Sequence, residues 1–131
     1  MAAPFTQLGR VVVLVDDQDA ALAFYRDVLG FEVLHDSEDG GFRYLHVGLP
    51  GWGGPGIWLM PANDSGTRSL VGRQAGAHPL LVLYTDDIEA TRTGLEAAGV
   101  KVWQDRDDDG SRSFHFRDVS GNTLIAVQLT Q

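Results

Sequence analysis

Two continuous apolar runs, residues 11–15 and 80–84, each end in acidic residues and give way to apolar positions at helical spacing. Val15-Asp16-Asp17-Gln18-Asp19-Ala20-Ala21 carries the first transition and Tyr84-Thr85-Asp86-Asp87-Ile88-Glu89-Ala90 the second. A β-branched run reads as a buried strand, and an aspartate ahead of a periodic stretch reads as the cap of a helix. Residues 10–16 are therefore predicted as a strand and 17–28 as a helix. The helix carries Ala21, Leu22, Phe24, Tyr25, Val28 and Leu29 as its apolar stripe and is stopped by Gly30. Each helix is followed by a glycine and a second apolar run, Leu29-Gly30-Phe31-Glu32-Val33 and Ala98-Gly99-Val100-Lys101-Val102. The offset is 87 − 17 = 70 at the helix start and 99 − 30 = 69 at the glycine, so the chain repeats itself with a slip of one residue. Two copies are too few for a solenoid and imply a fused pair of like modules.

The remaining pattern completes each module. Residues 31–35 are predicted as a strand, 36–41 as a polar turn and 42–49 as an alternating strand. A glycine-rich loop from Pro50 to Gly56 precedes a short strand at 57–60. In the second copy, strands are expected at 80–84, 100–103, 112–118 and 123–129, a helix at 87–98 and an acidic turn at 105–110. Each copy thus reads β-α-β-β-β. Module 1 spans about residues 8–62 and module 2 about 78–131. Between them, residues 63–77 are polar and glycine-containing, and are read as a linker with a short helix around Leu70. The run Asp107-Asp108-Asp109-Gly110 lacks the spaced oxygen ligands and closing glutamate of a calcium loop, so it reads as a solvated hairpin turn.

A chain of 131 residues buries roughly two thirds of the surface its unfolded form exposes, enough for a core without staples. It contains no cysteine, which removes disulfides and thiolate metal sites. Eighteen acidic against ten basic residues give a net charge of −8, which repels phosphate backbones and argues against nucleic acid. Such a surface serves solubility and would also draw in a cationic small molecule. No stretch is long and apolar enough to span a bilayer, and residues 1–5 lack the charged start of a secretory signal. The expectation is a cytoplasmic protein without a membrane partner.

The order of these motifs resembles the vicinal oxygen chelate superfamily, which includes glyoxalase I, bleomycin-resistance proteins, fosfomycin-resistance enzymes and extradiol dioxygenases. The residues that carry it are Val15-Asp16-Asp17 followed by Phe24-Tyr25-Arg26-Asp27-Val28-Leu29-Gly30-Phe31 in module 1. Module 2 contributes Leu95-Glu96-Ala97-Ala98-Gly99-Val100 and Phe116-Arg117-Asp118-Val119-Ser120-Gly121-Asn122. The last departs from the family's Asp-Pro-Asp-Gly-Asn turn at Val119 and Ser120. The resemblance implies an α+β fold, two tandem βαβββ modules forming a half-open curved sheet around a cavity, commonly in a homodimer. It does not fix the chemistry, because the fold hosts several.

Metal-dependent members of that family hold a divalent ion with histidine and glutamate from four strands. By the resemblance those places fall at Arg10, Leu80, Trp58 and Ile125. A guanidinium has no lone pair to give, and leucine, tryptophan and isoleucine offer none either. The expectation is no metal and no cofactor. His78, two residues before Leu80, is the one candidate for a displaced ligand, and it lacks a partner. His46 and His115 lie on equivalent strands, where imidazole can donate, accept or exchange a proton. His35 precedes an acidic run and is expected at the surface. Trp58 and Trp103 offer flat apolar walls of the kind that line small-molecule pockets, and Trp52 tops the glycine-rich loop.

These readings assemble a ligand-binding set of Arg10, His46, Trp58, Trp103, His115 and Ile125. They point to a metal-free binding protein of the bleomycin-resistance type that traps an aromatic or cationic natural product, antibiotics being the precedent. The alternative is a lyase, isomerase or dioxygenase-like enzyme with a non-standard metal site or histidine acid-base chemistry. A third reading is a metabolite-binding accessory module.

Overall fold

In a computed structural model, which describes residues 4–130, the chain divides into two compact units that meet between Arg68 and Ser69. The first contains β1 (Arg10–Val15), α1 (Gln18–Leu22) continuing as a π-helical segment (Ala23–Val28), β2 (Glu32–Asp39), β3 (Phe42–Gly48), β4 (Gly56–Pro61) and the one-turn α2 (Ser65–Arg68). The second contains β5 (Leu81–Tyr84), α3 (Ile88–Ala97), β6 (Val102–Asp108), β7 (Ser111–Arg117) and β8 (Thr123–Leu129). The sheet orders are β1-β4-β3-β2 and β5-β8-β7-β6. In each, the first strand runs parallel to the last, and the other neighbours are antiparallel.

The helices start where the capping aspartates dictate. Asp17 accepts from the Ala20 amide and Asp87 from the Ala90 amide, both at 3.0 Å. The π-helical segment accounts for the one-residue slip in the repeat. Thirteen positions separate Asp17 from Gly30 (30 − 17), but twelve separate Asp87 from Gly99 (99 − 87). A π turn takes up one additional residue without changing where the helix ends. Both helices close on a left-handed glycine, with φ +82° at Gly30 and +84° at Gly99.

One face of each sheet packs on its helix and forms the core. In the first unit Val13, Val15, Leu45, Val47 and Leu59 are fully buried together with Ala21 and Tyr25 of the helix. Tyr25 sets its ring edge-on against Phe24 and Phe31. In the second unit Phe114, Phe116, Leu124 and Ala126 do the same with Ile88 and Leu95. Each of these larger side chains contributes about 1.5–3 kcal/mol by leaving water.

Two expected turns are corrected. Residues 36–41 and 105–110 were both expected as turns because they are acidic. Instead β2 continues to Asp39 and β6 to Asp108, and the turns shrink to Gly40-Gly41 and Asp109-Gly110. The outer strands are exposed, so charged side chains reach water there while the backbone still pairs. The short helix expected around Leu70 lies earlier, at Ser65–Arg68, capped by Asp64 through Thr67.

Candidate functional site

Alternation along a strand sends neighbouring side chains to opposite faces, so whatever is not packed on the helix lines the other face of each sheet. Register fixes the residues on that face. In the first unit Val12 pairs with Trp58, Trp58 with His46, and His46 with His35, a row across all four strands. The matching row in the second unit is Val82, Ile125, His115 and Trp103. The structure therefore gathers Arg10, His46 and Trp58 in one unit and Trp103, His115 and Ile125 in the other.

In the first unit the Arg10 Nε–H donates to His46 Nδ1 at 3.0 Å, and its Nη1 donates to the Gly9 carbonyl at 2.8 Å. The His46 and Trp58 ring centroids are 5.2 Å apart, and those of His46 and His35 are 5.4 Å apart. Tyr44 extends the aromatic surface, 5.9 Å from Trp58 and 4.7 Å from Phe42. Burial, the Arg10 guanidinium and His35 push the His46 imidazole below its ordinary range. His46 Nε2 and Trp58 Nε1 are both buried and find no hydrogen-bond partner in the protein.

A β-bulge shapes one end of this face. Between Val33 and His35 the register slips by one, leaving Leu34 unpaired. Its side chain lies against the bare backbones of Gly48 and Gly56. A Cβ at Gly48 would come within 2.8 Å of the Leu34 side chain alone, which can shift, whereas one at Gly56 would also meet the Val47 carbonyl at 2.9 Å, so the closer constraint is at Gly56.

The second unit repeats the device. A register slip between Trp103 and Arg106 coincides with Gln104 at φ +56°, a conformation that strains a residue with a side chain. Trp103 lies 5.7 Å from the His115 ring, and Arg117, two residues along β7, stacks its guanidinium 4.8 Å from the Trp103 centroid. His115 Nδ1 is buried without a partner.

A separate concavity of about 360 Å³ lies between α3 and the β6–β7 hairpin. Three arginines and three acids line it, with Arg92 paired to Asp105 and Arg112 to Glu89. None of the six sequence-predicted residues is there, and two of its three arginines are already paired within it while Arg106 pairs with Asp108 outside.

Sequence reasoning missed Tyr44, Leu34 and Arg117, and set His35 aside as a surface residue. His35 is indeed exposed, bonded to Ser37 at 2.8 Å, yet its ring lies tilted against that of His46. Tyr44 and Arg117 stand two residues from His46 and His115, so strand alternation alone places them on the same faces. Leu34 depends on the bulge, which no sequence signal announced. Trp52 is mostly exposed and folds over Gly54 of its own loop. His78 is exposed in a turn closed by its amide to the Ala75 carbonyl.

The family model of the Glyoxalase/Bleomycin resistance protein/Dioxygenase superfamily matches residues 7–125, and the chain belongs to that superfamily. It has that family's α+β fold, with two four-stranded sheets in βαβββ order. Among solved structures it is similar to UcmS2, at 31% identity and TM-score 0.81 over 94% of this chain and 98% of that one. It is also similar to TnmS3, an antibiotic binding protein from Streptomyces sp. CB03234, at 26% identity and TM-score 0.77 over 98% of this chain and 100% of that one. Among curated proteins it is similar to the glutathione transferase FosA of Serratia marcescens, 25% identical over 89% of this chain and 77% of that protein.

The metal positions implied by the resemblance do not fit a cation. Arg10 is a donor bonded to His46, Trp58 offers only an N–H, and Ile125 and Leu80 offer hydrocarbon. Among the described residues no three His, Asp or Glu side chains gather as a metal would require. No helix among them is long and apolar enough to cross a membrane.

Proposed function

We propose that this chain is a metal-free small-molecule-binding protein that sequesters an aromatic or cationic natural product, working as a homodimer in the cytoplasm. One observation carries the reading. Where one of the family's metal ligands would stand, the first unit presents the half-buried Trp58 indole, with the half-buried His46 imidazole paired beside it, both with a ring nitrogen unpartnered and an aromatic surface extending to Tyr44. Buried polar groups are ordinarily satisfied, so orphaned ones on an aromatic face suit a ligand that completes them. The second unit supports the reading with Trp103, His115 and Ile125, and the likeness to an antibiotic binding protein adds to it.

Tryptophan fluorescence titrated with a panel of aromatic natural products tests this, with mass spectrometry of the recovered compound. Saturable quenching that weakens about tenfold in Trp58→Ala, with the compound returned unchanged, is the expected result. A chemically altered compound, or stoichiometric transition metal in the purified protein, defeats it in favour of the enzyme reading.

A further inference from the structure

Arg10 does more than add charge to this face. A guanidinium has donors only, so the bond from Arg10 Nε to His46 Nδ1 fixes Nδ1 as an acceptor. A neutral ring then carries its proton on Nε2. The groups facing it keep the ring neutral: Arg10 from β1 and His35 from β2 both disfavour a second proton, and Trp58 on β4 does not titrate. Nε2–H is therefore a donor, and it is buried without a partner. Trp58 Nε1–H is a donor in every state, and it is orphaned on the paired residue of the adjacent strand.

Building on the binding function proposed above, we infer that the first unit recognises its ligand through a donor-only pair, His46 Nε2–H and Trp58 Nε1–H. It takes a planar aromatic ligand through acceptor oxygens (ketone, quinone or phenolate), with Arg10 as the positioning residue that sets the His46 tautomer. Of the two guest types considered, the aromatic one is favoured, because a cation would approach both Arg10 and two hydrogens of positive character. The net charge of −8 belongs to the whole surface and not to this row.

Two measurements test it. Long-range ¹⁵N–¹H NMR of the free protein reads the tautomer directly: an unprotonated Nδ1 and a protonated Nε2 are expected at His46. Arg10→Met should mix the tautomers and raise the midpoint of the ring's titration. A protonated Nδ1 in the parent protein overturns the inference, whatever the ligand.

Calorimetry with three flat tricycles then separates the recognition chemistry. 9-Fluorenone offers an acceptor, carbazole a donor and fluorene neither. Fluorenone should bind about tenfold tighter than fluorene, and carbazole no tighter than fluorene. His46→Phe and Trp58→Phe should each erase part of that preference, and His46→Gln, which keeps a donor, should retain it. Equal binding of all three overturns the donor-only pair while leaving the binding function standing. Binding of none overturns both.

Discussion

The two units share a scaffold and differ in the row that faces away from the helix. Asp17 and Asp87 cap the helices alike, and Gly30 and Gly99 close them alike. Arg43 reaches Asp19 in the first helical turn at 2.6 Å, and Arg112 reaches Glu89 at the corresponding place. On the other face, tryptophan sits on the fourth strand of the first unit and isoleucine on that of the second, while the second unit carries its tryptophan on the outer hairpin strand. Position 10 is arginine, and its counterpart seventy residues on (10 + 70 = 80) is leucine. The repeat thus preserves what folds each unit and varies what each presents. Such a division is expected when helix packing is an obligatory stability constraint and the opposite face is not.

The largest contrast between the units lies in the turn before the last strand. In the second unit Asp118 is buried and accepts from the amides of Ser120 and Asn122 and from the Asn122 side chain, at 2.9–3.0 Å. Asp118→Ala leaves those donors unmatched and should cost about 3 kcal/mol in urea denaturation. The first unit closes the same connection with a longer loop crowned by Trp52, which is 59% exposed. Trp52→Ala should cost less than about 0.5 kcal/mol. Comparable losses in the two variants would break the contrast.

A smaller effect tests the shared scaffold. Gly30 and Gly99 have the same left-handed φ, and a Cβ built on either meets nothing within 4 Å. Replacing each with alanine should therefore cost only the conformational penalty, about 1 kcal/mol, and the same for both. Unequal losses, read from the same denaturation curves, would show that the π-helical segment changes how the first helix ends.

The fold was legible because it rests on signals that local chemistry dictates. Capping aspartates, stopping glycines and β-branched runs announced both helices and the inner strands, and Thr123–Leu129 falls where the pattern put it. The outer hairpins were misread because their residues are acidic and exposed, and backbone pairing does not register in side-chain polarity. At the site, the resemblance pointed to Arg10, Trp58 and Ile125 and the strand pattern to His46, Trp103 and His115; strand pairing aligns all of these but Arg10 in two rows, and Arg10 lies two residues before Val12 on β1. What the sequence could not carry was the bulge that lays Leu34 over Gly48 and Gly56, and the bond that ties Arg10 to His46 across thirty-six residues.

The least effect expected is a pH dependence confined to the first unit. Burial, Arg10 and His35 depress the His46 pKa in the folded chain relative to the unfolded value of about 6.5. As pH falls through that value the unfolded chain takes up a proton that the folded ring resists, so the unfolded state binds more protons and stability rises with pH. The contribution is fully present above about pH 6.5 and is lost as pH drops toward the folded pKa. Asp36, held low by its bidentate bond to Arg43, loses its own contribution only further down, in the carboxylate range. Denaturation midpoints of the parent and His46→Gln between pH 7.5 and about pH 5 isolate the imidazole, since every other titrating group is common to both. The parent should weaken more steeply than the variant across that window. Parallel curves would mean that neither burial nor Arg10 and His35 hold the folded ring back from protonation, and the asymmetry drawn between positions 10 and 80 would lose its chemical meaning.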